Sequence, residues 1–363
     1  MSSLYVGVMS GTSLDGIDAV LAAPRGNGFE VKAAVHRRFS PALQRRLLAL
    51  QASGPDELRR AALAASELTR AYAAAVRALL SRARVRPGRV TGIGCHGQTV
   101  RHQPREGYTV QLVNGALLAE LTGIDVVCDF RSRDIAAGGE GAPLAPAFHN
   151  AVFRRRDRSR AVVNIGGIAN VTNLPARRDA TGFDSGPGNG LLDAWIAARR
   201  RLPYDRGGAW ALRGRVLPRL LDKLLADPYF RRAPPKSTGR ETFNLPWLRR
   251  HLTRKERARD VQATLLELTA ITVARAVRSY CAAASDVIVC GGGARNRALV
   301  ARLATLVPGR SVLVSDQAGI AAEHVEALAF AWLARECLRG KAGNLPRVTG
   351  ARGPRVLGAI YRA

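Results

Sequence analysis

Apolar runs and polar breaks alternate along the chain in a way that predicts an α/β protein. Leu4 to Val8 reads as a strand, a Gly/Ser/Thr turn follows, and Ile17 to Ala22 reads as its hairpin partner. From Ser40-Pro41 to Ala83 the chain is rich in Ala, Leu and Arg. Apolar residues there recur at helical spacing, including Leu58, Ala62, Leu63 and Leu68, so helices are expected. Val90 to Cys95 reads as a short buried strand ending in His96-Gly97-Gln98-Thr99, and polar groups just past a strand end mark the usual ligand position of an α/β sheet. The segment Gly138 to Pro143 is expected to be a hinge, because glycine accepts backbone rotations that other residues resist. Beyond it the pattern restarts. Ala161 to Ile165 is a strand entering Gly166-Gly167, Gly182 to Gly190 is a dense loop opening a helix at Leu191, Asp286 to Cys290 is a strand entering Gly291-Gly292-Gly293, and Glu323 to Leu338 is a helix. No repeat with a period of 20–50 residues is visible, which excludes a solenoid.

Length sharpens this picture. At 363 residues the chain exceeds what one core usually supports, so two domains are expected: 1–135, joined by the C-terminal helix region 325–363, and 136–324. The start of the sequence carries neither a basic leader nor a long apolar stretch, which predicts a cytoplasmic protein with no membrane partner. The five cysteines are widely spaced without a CxxC pair, so they are expected as reduced, buried residues and not as a disulfide framework or zinc site. The formal net charge is +28, and 51 of the 56 basic residues are arginine. Such a field favours anions. The basic blocks 154–160 and 249–257 nevertheless lack interleaved aromatic residues and are interrupted by Asp157 and Glu256, so they read as solvated surface and no specific nucleic-acid partner is expected.

Three glycine-rich loops follow apolar strands: Ser10 to Gly16, Asn164 to Asn170 and Gly291 to Asn296. Glycine lets backbone N–H groups surround phosphate oxygens, and hydroxyls can add donors. Any one loop is explained equally well as a tight turn. Neither GxxxxGK[ST] nor a helix-opening GxGxxG is present. Three loops spread over both halves suit a nucleotide clamped between domains.

The blocks Met9 to Asp18, Cys95 to Thr99, Asp129 to Arg131, Asn164 to Asn170, Phe183 to Asn189, Gly239 to Asn244 and Glu326 to Phe330 together resemble the signature blocks of the anhydro-N-acetylmuramic acid kinase family. The resemblance implies a two-domain duplicated RNase H-like fold, shared with actin and hexokinase, with an interdomain active-site cleft. It also implies ATP and Mg²⁺, and a reaction in which the 1,6-anhydro bridge of 1,6-anhydro-N-acetylmuramic acid is hydrolysed while O6 is phosphorylated. The expected nucleotide contacts are Gly11, Thr12, Ser13, Leu14, Asp15, Gly16, Ile17 and Asp18 in the first loop, Gly166, Gly167 and Asn170 in the second, and Gly291, Gly292, Gly293 and Asn296 in the third.

Opening the bridge needs a base for the attacking water. Asp184 fits, and the family assigns the base to the Asp of this block; a turn or helix-cap carboxylate is the plainer reading. Asp18 is the candidate metal ligand, through water. The lactyl carboxylate of muramic acid calls for a forked cation, for which Arg131 and Arg133 are candidates, each equally readable as a salt-bridge residue. Gln98, Thr99, Glu140, Asn189 and Glu326 complete the expected sugar site, whereas His96 reads as a structural histidine. A homodimer is the expected assembly. A sugar kinase acting without ring opening, and a basic, nucleotide-gated nucleic-acid-binding protein, are the alternatives.

Overall fold

The structure, a computed structural model, describes residues 3–11, 14, 16–26, 28–239, 242–253 and 255–363. Three expected nucleotide contacts, Thr12, Ser13 and Asp15, lie outside the described residues, as do Arg240 and Glu241 of the Gly239 to Asn244 block.

In chain order the elements are β1 (Leu4–Met9), β2 (Gly16–Arg25), β3 (Gly28–Arg38), α1 (Pro41–Ala49), α2 (Glu57–Ala83), β4 (Val90–Cys95), β5 (Gln98–Gln103), β6 (Tyr108–Leu112), α3 (Gly115–Thr122), β7 (Val126–Cys128), α4 (Ser132–Ala136) and α5 (Ala145–Phe153). There follow β8 (Arg160–Ile165), β9 (Ile168–Leu174), β10 (Thr181–Pro187), α6 (Asn189–Arg200), α7 (Pro218–Leu225), α8 (Pro228–Arg231), α9 (Leu245–His251), α10 (Ala258–Tyr280), β11 (Asp286–Cys290), α11 (Arg297–Leu306) and β12 (Ser311–Val314). The chain ends with α12 (Val325–Leu338), α13 (Pro346–Thr349) and β13 (Ala359–Tyr361).

Two compact units form, Met1–Val152 with His324–Ala363, and Phe153–Glu323. The sheet of the first runs β13-β7-β4-β1-β2-β3 and that of the second β10-β9-β8-β11-β12. Each begins with three antiparallel strands and then places a parallel strand against the free side of the first, followed by one more parallel strand. One plan is therefore used twice, as a duplicated RNase H-like fold requires.

The division falls at Val152/Phe153, beyond the expected 135/136, and the segment expected as a hinge is a fixed corner of the first unit. Fully buried Asp134 causes this. Its Oδ2 accepts the Gly141 N–H at 2.8 Å, and its Oδ1 accepts from Asn344 Nδ2 at 2.7 Å and Thr349 Oγ1 at 2.8 Å. A buried carboxylate is tolerated only when bonded in this way, so it ties the glycine loop to the C-terminal segment.

In the first unit α12 lies directly on β1 and β4. A Cβ on Gly7 would sit 1.8 Å from the Ala327 carbonyl oxygen, and one on Gly94 1.9 Å from that of Phe330, so only glycine admits the helix this close. In the second unit α10 is the central helix, buried on nearly every face against the sheet and the surrounding helices. All five cysteines are free and buried, as expected. No helix among the described residues is long and apolar enough to cross a membrane.

Candidate active site

Strand pairing in the second unit sets four residues in one row: Cys290 opposite Asn164, Asn164 opposite Asn170, and Asn170 opposite Asp184. Directly opposed residues share a face of the sheet, so two amides and a carboxylate stand side by side. Asp184 is 8% exposed. It lies within β10 and not in the loop expected at 182–190, because pairing with β9 supplies the backbone partners that its glycines and proline do not advertise. The register shifts between Asp184 and Gly186, and the intervening Ser185 donates its hydroxyl to the Ala169 carbonyl at 3.1 Å. A bulge at this point bends the strand and re-aims the side chain beside it.

Several groups hold Asp184. Its N–H donates to the Lys236 carbonyl at 3.1 Å, the Thr238 N–H donates to Oδ2 at 3.0 Å, and the Tyr229 hydroxyl donates to its carbonyl at 2.6 Å. Lys236 is itself buried, with Nζ donating to the Tyr229 carbonyl at 3.2 Å and lying 4.7 Å from that ring's centroid. Burial, helped by nearby Arg232, pulls its ammonium below the usual lysine range, while Asp184 opposes that pull. Burial and then the Asp184 charge push the Tyr229 phenol up. Asn170 Oδ1 and Thr238 Oγ1 are buried here without a partner among the described residues. Buried orphans of this kind are costly in a finished core and expected where a ligand or water completes the site.

Sequence reasoning passed over Tyr229, Lys236 and Thr238. One signal was available: Lys236 is one of only five lysines in a chain that otherwise uses arginine.

The glycine segments of the same unit converge. Asn189 N–H donates to the Gly166 carbonyl at 2.7 Å, and Gly188 and Gly190 N–H donate to that of Gly167 at 3.0 and 3.1 Å, which fixes the β8–β9 turn against the start of α6. Gly291, at φ 75°, has no room for a side chain, since a Cβ would lie 2.3 Å from Asn164 Oδ1. Gly292 by contrast is open, with Asn189 Nδ2 3.6 Å from where its Cβ would be. Gly293 packs on Ile165. Asn296 departs from expectation: its Oδ1 caps α11 by accepting the Leu299 N–H at 3.2 Å, so its side chain serves the helix.

In the first unit the β1–β2 loop is held at Leu14, a left-handed residue at φ 56° whose N–H donates to the Gly11 carbonyl at 3.2 Å and whose carbonyl accepts from Gln44 Nε2 at 2.8 Å. The side chains of Leu14 and Ile17 belong to the core, which leaves only their backbone for a nucleotide. Gly16 packs against the Arg37 carbonyl. Asp18 sits in β2, half exposed, with Oδ1 2.8 Å from His36 Nδ1. No cluster of three metal-binding side chains occurs among the described residues. Mg²⁺ keeps most of its water and binds one or two carboxylates beside substrate phosphates, so a single aspartate fits that chemistry.

Gln98 is one of the expected sugar contacts. It is fully buried, and Oε1 accepts from Ser10 Oγ at 3.0 Å. Thr99 is half-buried and its hydroxyl accepts from Gln111 Nε2 at 3.3 Å. Half-buried Arg131 donates to the Gly141 carbonyl at 2.8 Å and, through Nη2 and Nε, to His96 Nε2 at 3.0 and 3.3 Å. Burial, and secondarily this guanidinium, depress the His96 imidazole to about 3. Arg133 is exposed on α4, Glu140 is half-buried, and Glu326 occupies the first turn of α12, where the helix dipole favours an acid.

The family model described as anhydro-N-acetylmuramic acid kinase matches residues 3–363. A curated relative of that name from Nitrosomonas europaea is 53% identical over 361 residues, covering 99% of each chain. Another from Bordetella pertussis is 55% identical over 365 residues, covering 99% of this chain and 96% of its own. Among solved structures, component A of the Acidaminococcus fermentans (R)-2-hydroxyglutaryl-CoA dehydratase aligns with a TM-score of 0.49 at 14% identity, over 91% of this chain and 96% of that one.

Proposed function

This chain belongs to the anhydro-N-acetylmuramic acid kinase family, and from that membership we propose that Asp184 is the base of its reaction. The enzyme uses ATP with Mg²⁺ to convert 1,6-anhydro-N-acetylmuramic acid and water into N-acetylmuramic acid 6-phosphate and ADP. Neutral water is a poor nucleophile. As its oxygen bonds to the anomeric carbon, Asp184 takes its proton, the bond from that carbon to O6 breaks, and the electron pair freed on O6 bonds to the γ-phosphorus while ADP leaves. The observation that carries this reading is the carboxylate itself, buried beside a strand bulge, fixed by the Thr238 N–H, and flanked by the Lys236 ammonium and the orphaned Asn170 Oδ1.

Backbone donors at Gly11, Gly16, Gly167, Gly292 and Gly293 hold the nucleotide phosphates, whereas the Gly166 N–H is already given to the Ile168 carbonyl at 3.1 Å; the Asn189 side-chain amide, expected on the sugar side, lies beside Gly292 and joins these donors. Asp18 holds Mg²⁺ through water; when bound, the ion offsets phosphate charge. Arg131, its fork already oriented by His96 and Gly141, reads the lactyl carboxylate, with exposed Arg133 as the second candidate. Thr99, Glu140 and Glu326 are the remaining sugar-side groups. The need for ATP supports a cytoplasmic location.

The test is a reaction of the pure protein with Mg-ATP and the anhydro-sugar in ¹⁸O-water, followed by mass spectrometry. One heavy oxygen on the sugar of the phosphosugar is expected, together with no phosphorylation of ready-hydrolysed N-acetylmuramic acid. Equal phosphorylation of both sugars would favour a kinase acting on a simple hydroxyl.

A further inference from the structure

We propose that Tyr72 and Gln98 are positioning residues for the nucleotide loop, acting through Ser10. The proposal rests on the reading that the loop after β1 holds phosphates. Ser10 immediately precedes Gly11 and is 1% exposed. Its Oγ lies 2.6 Å from the Tyr72 hydroxyl, 3.0 Å from Gln98 Oε1 and 3.5 Å from the Gly97 carbonyl. The two side-chain partners come from α2 and from the first residue of β5, 62 and 88 residues away in the chain.

Proton bookkeeping gives the trio a direction. Tyr72 is fully buried on α2, and burial pushes its phenol well above the usual range, so it carries its proton. Among the described residues Ser10 Oγ is the only partner of that phenol, which therefore donates to it. The Ser10 proton then goes to Gln98 Oε1, since the Gly97 contact is long. This orients the Gln98 amide, with Nε2 as the group left unpartnered among the described residues. Nearby, the His96 N–H donates to the Val8 carbonyl at 3.1 Å, so the end of β1 is gripped from two sides.

Stability alone does not explain the arrangement. The trio sits among Leu68, Val76, Leu79 and Cys95, all fully buried, where well-packed apolar groups would do as well as satisfied hydroxyls. What the hydroxyl chain adds is geometry. It fixes the residue before Gly11 in a loop that is also tied at Leu14, where the backbone already occupies the left-handed region and the N–H donates to the Gly11 carbonyl, so that the Gly11 peptide keeps one direction. Gln98 thus influences the nucleotide through Ser10 without touching substrate.

The experiment measures the KM for ATP, the KM for the anhydro-sugar and the melting temperature of Tyr72→Phe, Ser10→Ala, Ser10→Thr and the double variant Tyr72→Phe/Ser10→Ala. Loss of the hydroxyl chain should raise the KM for ATP roughly five- to tenfold, the scale of one hydrogen bond, with little change in that for the sugar. Ser10→Thr should restore it, and the double variant should be no worse than the singles because both act on one chain. The double variant also removes both hydroxyls together, so it serves if either single variant fails to fold. A lowered melting temperature with an unchanged KM for ATP, or equal rises for both substrates, would overturn the proposal. Gly11→Val separates the two readings: weakened ATP binding there with an unaffected Tyr72→Phe sinks the positioning role alone, whereas unchanged ATP binding in folded Gly11→Val sinks the loop reading and the proposal with it.

Discussion

In the first unit the strand positions in line with Cys95 are Val8, Ala19 and Val35; in the second, the positions in line with Cys290 are Asn164, Asn170 and Asp184. The two rows occupy the same place in a duplicated sheet. One is apolar, as packing alone would favour. The other buries the Asn164 amide and a carboxylate and half-buries the Asn170 amide, groups that cost free energy unless bonded, and the buried Asn170 Oδ1 has no partner among the described residues. The fold needs no polar row there, since the first unit manages without one. On the proposed function the second unit's row is where chemistry overrides packing, and the first unit is proposed to contribute through the loop at the end of β1 and the arginine beyond β7.

Acid should separate the units most strongly. His96 and His149 are buried in the first unit, with imidazoles depressed to about 3 by burial. An unfolded histidine protonates near 6.5, so the unfolded state takes up protons that the folded state refuses. The resulting stability is intact above pH 6.5 and is lost as pH falls towards 3. Each imidazole should cost about 2 kcal/mol between roughly pH 6.5 and 4.5, and denaturant melts followed by hydrogen exchange should show the first unit opening before the second.

Making the apolar row polar comes next. Val8→Asn would bury an amide at a fully enclosed site and should cost about 3 kcal/mol in a denaturant melt; a loss under about 1 kcal/mol would mean that the rows differ less than their sequences suggest. The converse change is the smallest. Asn170→Leu should leave stability unchanged or raise it by up to about 1 kcal/mol, while turnover falls about tenfold. A variant that loses stability and keeps its turnover would mark the second row as structural.

The strands that carry these rows differ in how plainly the sequence shows them. Ala161 to Ile165 and Asp286 to Cys290 are apolar runs flanked by glycine, and the structure forms strands there. The strand holding Asp184 was hidden, because Gly182, Gly186 and Pro187 read as a loop and only pairing with β9 makes a strand of them. Asp184 itself was legible from the surrounding block, but Lys236 and Thr238 were not, because that contact joins segments about fifty residues apart. The contact of Gln98 with Ser10 was hidden for the same reason: nothing near Gln98 in sequence announces Ser10. The fixed corner at Asp134 likewise depends on Asn344 and Thr349, more than two hundred residues downstream. Local pattern reveals elements and loops, while the partners that decide a polar side chain's role come from tertiary pairing.

The central claim, that Asp184 activates water, is tested most directly by the turnover of Asp184→Asn, with ATP and sugar affinities measured on the same folded sample. The substitution keeps the shape and the acceptor for the Thr238 N–H while removing the basicity. Turnover should fall by roughly 10²–10⁴ with both affinities within a few-fold of wild type. Near-normal turnover in the folded variant would contradict the account, and joint loss of binding and turnover would make Asp184 a substrate-holding residue instead.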